Sequence, residues 1–143
     1  MNLSELLAEG KVKKVEPDSK QAQECLQVAK RDLKLARKLL ADEYDWAFSI
    51  AYNAMLQSAR ALMFADGYVA VGENHHKTTV EYTDAKLGTK IREKIDVFDD
   101  MRKKRHRVVY EKAGIVSHFE AKHAIETAES FLVKIEEKIK ASK

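Results

Sequence analysis

Residues 46–65, WAFSIAYNAMLQSARALMFA, are almost continuously apolar, and they are the strongest indication of this chain's fold class. Most of its few polar residues, Ser49, Asn53, Gln57 and Arg60, are spaced four, four and three residues apart, which places them in one narrow stripe of an α-helix. A helix that is apolar around most of its circumference has to be covered on several sides. The stretch therefore predicts a central helix packed against other helices, and a second subunit is one way to complete that cover.

The composition agrees with a helical domain and excludes several other classes. The chain has 143 residues, of which only 5 are Gly and 1 is Pro, whereas an all-β fold needs many turns rich in both. No apolar run approaches the roughly 20 residues that span a bilayer, and the N-terminus lacks the apolar core of a signal peptide, so we expect a cytoplasmic protein without a membrane partner. The single cysteine, Cys25, excludes an intramolecular disulfide and a Cys-rich zinc site.

Start and stop signals predict helices on both sides of the central one. Asp18 with Gln21 is typical of a helix start, and apolar residues at steps of three and four continue to Leu40. After the central helix, Gly67 suits a left-handed C-terminal position. Asn74 is a candidate cap for a short helix from His75 to Leu87, which Gly88 would end.

Two further long helices are predicted in the C-terminal half. One runs from about Thr89 to Glu111, with an apolar stripe of Ile91, Ile95, Phe98, Met101 and Val109. The last helix begins with a capping box of Ser117 and Glu120. Its predicted core face consists of Ala121, Ala124, Ile125, Ala128, Leu132, Ile135 and Ile139.

The simplest arrangement of these elements is all-α. We predict an antiparallel up-and-down four-helix bundle with a short extra helix between the second and third long helices. The domain would comprise residues 18–140, and residues 1–17 would form a flexible basic N-terminal arm.

The segment MRKKRHRVVY, residues 101–110, carries positive charge on the face where the core stripe should continue. On a helical wheel of about 100° per residue, Arg102 and Arg105 continue the apolar stripe, whereas Lys103 and Lys104 point away. A buried arginine needs a partner because its charge does not titrate away. Three interpretations remain open: the helix end projects beyond the bundle, acidic side chains on a neighbouring helix pair with the arginines, or a cleft there binds phosphate.

Five segments taken in order resemble the HEPN family (higher eukaryotes and prokaryotes nucleotide-binding). The resemblance runs from roughly Asp18 to Ile139. It is carried by ARKLL (36–40), AYNAMLQSARALMFADGY (51–68), ENHHKTTVEY (73–82), the Arg102–Tyr110 pattern and AKHAIETAESFLVKI (121–135). The resemblance implies a helical bundle that forms a homodimer, with the motif helices facing each other across a shared cleft. Many family members are metal-independent ribonucleases, often toxins that pair with a minimal nucleotidyltransferase antitoxin.

The family motif is an arginine, a polar residue and then a histidine several residues later, and this chain matches it only in part. Arg105 and His106 fit the first two positions, but Tyr110 occupies the position of the later histidine. A phenol with a pKa near 10 is a poor base at neutral pH, whereas a histidine is a suitable one. His106 is the alternative base, or it holds the polar position and orients the phosphate.

The sequence therefore supports more than one function at the same residues. Arg105, His106 and Tyr110 are the candidate catalytic residues of a metal-independent endoribonuclease. Arg102, Arg105, Arg60 and His76 are the candidate residues for binding RNA or a nucleotide, although His76 also fits a cap or surface position. Binding without cleavage, as the partner of a nucleotidyltransferase in a toxin–antitoxin-like pair, is the leading prediction. Cleavage and a non-catalytic protein-interaction role are the alternatives.

The other histidines and aromatic residues give weaker signals. His75 and His76 diverge by about 100° on a helix, and His118 and His123 are five residues apart, so neither pair has metal-ligand spacing. No metal or cofactor is expected. Cys25, Trp46 and Tyr52 lie on apolar faces and are interpreted as core residues.

Overall fold

A computed structural model describes residues 1–142, and it is mostly helical. The elements are α1 (Leu3–Ala8), β1 (Val12–Lys14), α2 (Ser19–Leu39), α3 (Tyr44–Asp66), β2 (Tyr68–Ala70), α4 (His75–Leu87), α5 (Arg92–Tyr110) and α6 (His118–Ala141). The predicted helical fold class and the short helix between the second and third long helices are confirmed. The small antiparallel sheet of β1 and β2 was not foreseen, and the up-and-down order stays a prediction.

Local capping signals place most helix ends where the sequence predicts them. The Asp18 carboxylate accepts a hydrogen bond from the Gln21 backbone N–H at 2.9 Å. Gly67 ends α3 with a φ of 86°, and Ser117 and Glu120 form the complete capping box of α6. Asn74 precedes α4 but makes no side-chain hydrogen bond to cap it.

Helix α3 occupies the centre of the molecule and packs against α2, α4, α5 and α6. Its polar stripe turns partly inward: Ser49 is buried, and the Asn53 amide donates to the buried Asp32 carboxylate of α2 at 2.7 Å. The prediction that Trp46 is a core residue is wrong, because 58% of its surface is exposed at the first turn of the helix. Tyr52 is buried as predicted.

Helix α5 leaves the core halfway along its length. Ile95, Phe98 and Met101 are buried, but Val109 is 38% exposed, so the apolar stripe does not continue to that residue. Val108 is instead the partly buried residue of the last turns that packs against the core. The basic segment thus begins where α5 emerges from the core.

All seven residues of the predicted core face of α6 are buried.

Residues 1–17 are packed on the domain, which corrects the prediction of a flexible arm. Leu6 of α1 is fully buried and Val12 of β1 is nearly so. In the antiparallel pairing of β1 with β2, Val12 lies opposite Ala70. This segment is ordered because its apolar side chains are buried against the domain. The hydrogen bonds between β1 and β2 pair the backbone N–H and C=O groups of the strand.

None of the helices within residues 1–142 combines the length and the hydrophobicity needed to cross a membrane.

Candidate functional site

The basic half of α5 forms one wall of a concave cavity of about 420 Å³, and the first turn of α4 with the preceding loop forms the other. We call this cavity the cationic cleft. It is lined by Glu73, Asn74, His76, Lys77, Arg102, Lys103, Arg105 and His106. The cleft exists because α5 has left the core at Met101, so that its next side chains face an open groove instead of packed residues.

Arg105 lies at the inner side of the cleft, where three helices meet. Its guanidinium carbon is 5.8 Å from the centre of the Tyr52 ring of α3, within the range of a cation–π contact. The Tyr52 hydroxyl is in turn 3.0 Å from Nδ1 of His76 on α4. Within residues 1–142, no carboxylate lies within 4.0 Å of this guanidinium, although the side chain is partly buried. No carboxylate of the described residues therefore uses the hydrogen-bond donors of Arg105.

Arg102 is held in place by a carboxylate of its own helix. Its Nε donates to Asp99 at 3.0 Å, and Lys103 Nζ lies 3.3 Å from the other oxygen of the same carboxylate. Partial burial alone would raise the pKa of Asp99, but the hydrogen bonds from Arg102 and Lys103 hold that pKa below its usual value. Asp99 is therefore ionised at neutral pH. The Nε bond orients Arg102 and leaves its terminal amino groups directed away from that bond.

His76 is neutral at physiological pH in this environment. Burial lowers the pKa of the imidazole, and the nearby positive charges of Arg105 and Arg102 lower it further. Burial also raises the pKa of the Tyr52 phenol, which stays protonated. The cleft thus places a neutral imidazole next to two permanent cations.

The predicted site residues fall into three groups. Arg102, Arg105, His106 and His76 line the cationic cleft together. Tyr110 does not line it: this side chain is 68% exposed, and its ring is tilted by 45° to the ring of His106, with 5.0 Å between the two ring centres.

Arg60 lies outside the cleft, in a second cavity that adjoins it. The two lysines expected to point away behave differently from each other. Lys104 is partly buried and pairs with Glu120 of α6, away from the cleft, whereas Lys103 lines the cleft. The prediction for Lys103 is wrong because a long, flexible lysine stem can bend around the helix toward a groove.

The sequence did not point to Tyr52 and Lys77 as members of this site. Tyr52 looked like an ordinary core aromatic, and its ring does pack 5.7 Å from that of Phe98. Its contact with His76 joins residues 24 positions apart, so helical periodicity gives no sign of it. Lys77 lies next to His76, so the HHK triplet at the start of α4 could have indicated that Lys77 belongs to the site. No group of three or more metal-ligating side chains comes together in the described part of the chain.

Comparison with known proteins agrees with this architecture. The model of the HEPN domain matches residues 22–138, which is most of the chain. The chain belongs to the HEPN family. Among solved structures, it is similar to the crystal structure of TT1696 from Thermus thermophilus, with a TM-score of 0.64 and 24% identity. That match covers 82% of this chain and 98% of TT1696, and it shows a shared fold. A search of curated proteins found no significant match.

Proposed function

We propose that this HEPN protein binds phosphate groups of RNA or of a nucleotide in the cationic cleft. The observation that carries the proposal is Arg105, a partly buried guanidinium without a carboxylate partner in residues 1–142. Leaving a buried cation unpaired costs stability, so such an arrangement is typical of a residue whose partner is a ligand. The planar fork of arginine matches the oxygens of a phosphate group.

The rest of the cleft supports an anionic ligand. Arg102, Lys103 and Lys77 add three positive charges to that of Arg105, whereas Glu73 is the single acidic residue of the lining. Asp99, which neutralises part of this charge, orients Arg102 from outside the lining. The net positive potential would attract a phosphodiester chain and a free nucleotide alike.

The binding proposal is tested with a fluorescently labelled single-stranded RNA and a double variant, Arg102→Ala with Arg105→Ala. The matched control is Lys20→Ala with Lys34→Ala, which removes the same charge from the exposed face of α2. We expect the cleft variant to lose most of the affinity and the control to lose little. Equal losses in both variants would contradict the cleft as the binding site.

A second candidate function, metal-independent RNA cleavage, is favoured by the position of His76. Tyr110 is a poor base, but His76 places a neutral imidazole in the same cleft as both arginines. The tautomer in which Nδ1–H donates to the Tyr52 oxygen leaves Nε2 free to accept a proton. We propose His76 as the general base of such a reaction.

The reaction would be an internal transesterification. His76 takes the proton of a ribose 2′-hydroxyl, and the 2′-oxygen then bonds to the adjacent phosphorus. Arg105 and Arg102 stabilise the additional negative charge on the phosphorane oxygens. The bond from phosphorus to the 5′-oxygen breaks, and that oxygen takes a proton from His106 or water. The products are a 2′,3′-cyclic phosphate and a 5′-hydroxyl.

The cleavage proposal is tested by incubating the protein with structured and unstructured RNA in EDTA and analysing the ends of the fragments. We expect cyclic-phosphate ends from the wild-type protein and from Tyr110→Phe, and no cleavage by His76→Gln. Activity that survives in His76→Gln but disappears in Tyr110→Phe would contradict the assignment of the base. Binding without any cleavage would leave the protein a binding module.

We also propose, from family membership, that the protein is a homodimer and that a minimal nucleotidyltransferase is its antitoxin-like partner. Exposed aromatic side chains support a protein contact: Trp46, Tyr110 and Phe119 are 58%, 68% and 76% exposed. Copurification of the two proteins from cells that express both genes tests the partner. A partner that does not bind when both proteins are soluble would contradict this proposal.

A further inference from the structure

A second cavity, of about 300 Å³, adjoins the cationic cleft and shares one side chain with it. It lies between the C-terminal half of α3, strand β2 and the start of α4. His76 lines both cavities, so a ligand that passes this imidazole would occupy the two together. We call this second cavity the side pocket.

The side pocket is more apolar than the cleft. Leu56 and Met63 of α3 are buried beneath it, and Phe64 and Ala70 are partly buried at its sides. Its volume is at the lower end of the range for small-molecule sites, roughly 300–1,000 Å³. The side pocket is therefore suited to a small group that has an apolar face.

Arg60 is the charged group of the side pocket. Its guanidinium carbon is 5.6 Å from the centre of the Phe64 ring, and one terminal nitrogen donates to the Gln57 amide oxygen at 3.4 Å. In the described part of the chain, no carboxylate lies within 4.0 Å of this guanidinium. The Thr79 hydroxyl, which also lines the pocket, already donates to the His75 carbonyl at 2.7 Å. Arg60 is thus the one permanently charged donor of the lining, beside the polar side chains of Tyr68, His75 and His76, so the pocket favours a ligand that supplies acceptors.

We propose that the side pocket binds the guanine base of the nucleotide whose phosphate lies in the cationic cleft. This proposal rests on the proposed function, because the phosphate anchors the ligand. A nucleotide carries a flat base one ribose away from its phosphate, and here one side chain, His76, separates an apolar pocket from a cationic one. The base would stack on apolar and aromatic side chains, as bases do in other nucleic-acid sites.

Guanine is the base that matches Arg60. It presents two neighbouring acceptors, O6 and N7, which an arginine binds as a bidentate pair. Adenine replaces O6 by an amino group, which is a donor and meets the guanidinium unfavourably. Arg60 would therefore determine base preference, whereas Arg102 and Arg105 would bind phosphate without regard to the base.

The experiment compares three ligands by isothermal titration calorimetry at low salt: GMP, AMP and ribose 5-phosphate. We expect GMP to bind about a hundredfold more tightly than ribose 5-phosphate, because the stacked base and the bidentate contact with Arg60 each add about tenfold. We also expect GMP to bind about tenfold more tightly than AMP. Ribose 5-phosphate measures the phosphate site alone.

Two variants test whether the base binds in the side pocket and whether Arg60 sets the preference for guanine. Ala70→Leu fills the side pocket and should bring the affinity for GMP down to that for ribose 5-phosphate, with the latter unchanged. Arg60→Met keeps an apolar stem against Phe64 but removes the donors, so GMP and AMP should bind alike. Unchanged ribose 5-phosphate binding shows that each variant is folded. If Ala70→Leu fails to fold, Arg60→Met decides the result.

The outcomes separate this proposal from the one on which it rests. Equal binding of GMP and ribose 5-phosphate by the wild-type protein, or GMP selectivity that survives in Arg60→Met, would overturn the guanine pocket and leave phosphate binding intact. RNA binding without any GMP binding would also overturn it. Failure of RNA and of all three small ligands would contradict the proposed function itself.

Discussion

Replacing Arg105 with alanine should weaken RNA binding far more than replacing Lys104, although both changes remove one positive charge. Arg105 is partly buried in the cationic cleft and has no carboxylate partner within residues 1–142. A hydrogen bond to a charged group contributes about 1.5–3 kcal/mol, so we expect Arg105→Ala to raise the Kd roughly 10- to 150-fold. Lys104 instead pairs with Glu120 of α6, outside the cleft. Its loss should change the free energy of binding by less than about 0.5 kcal/mol, which is about twofold in Kd.

The assay is fluorescence anisotropy with a labelled single-stranded RNA, at one fixed low salt concentration. A third variant, Arg105→Lys, keeps the charge but lacks the bidentate fork, so its Kd should fall between those of the wild-type protein and Arg105→Ala. The melting temperature of each variant controls for unfolding, since Arg105 also contacts the Tyr52 ring. Equal Kd values for Arg105→Ala and Lys104→Ala, with melting temperatures unchanged, would contradict RNA binding in the cleft. The basic segment would then act only as a solvated, charged helix face.

Four further predictions rest on charge, backbone geometry, titration and family membership. RNA affinity should fall steeply as the salt concentration rises. If three or four phosphates are neutralised, a plot of log K against log salt should have a slope of about −2 to −3. An affinity that does not change with salt would argue against phosphate contacts. Gly67→Ala should destabilise the fold by about 2 kcal/mol or more in urea titrations, because φ is 86° and a Cβ would lie 2.6 Å from the Val15 carbonyl oxygen. Gly72→Ala, with a similar φ and open space, should cost only about 1 kcal/mol. The pKa of His76 is lowered in the folded state, so the unfolded state binds more protons below about pH 6.5. The free energy of unfolding should therefore fall as the pH drops below that value, and it should level off below the folded-state pKa. Thermal melts at pH 5–7 should show this pH dependence for the wild-type protein and not for His76→Gln. Light scattering at micromolar concentration should give the mass of a dimer, and a mass of 16.3 kDa without dilution dependence would contradict it.

Helix positions followed from the sequence because their signals are local. The Asp18 cap, the Gly67 C-terminal position and the Ser117–Glu120 capping box each depend on residues within a few positions of one another. The long apolar face of α6 was equally readable, because its period of 3.6 residues is uninterrupted.

The packing of the N-terminal segment was not readable from the sequence. Strand β1 has three residues, and its partner β2 lies more than fifty positions later. Neither strand has enough residues to show an alternating pattern. The segment is ordered by burial of Leu6 and Val12 against the rest of the domain, which is a tertiary contact.

The candidate site was likewise predictable only in part, because local signals show what lies on one helix and not what joins separate helices. Sequence placed Arg102, Arg105 and His106 together, because one helix carries them all, and it also indicated that the two arginines lie on the face where the core should continue. It misplaced Val109 and Tyr110, since periodicity extends a stripe along a helix without showing where the core beneath that helix ends.

Helices α2 to α6, several of their caps and the concentration of positive charge on α5 could be read from the sequence, because each depends on neighbours along one chain segment. Tertiary structure alone decided that α5 emerges from the core at Met101 and that α4 brings His76 and Lys77 to face it. It also decided that Tyr52 joins His76 to the inner end of the cleft. Those contacts join separate helices, and their geometry is set by how the apolar faces pack together, which no local pattern specifies.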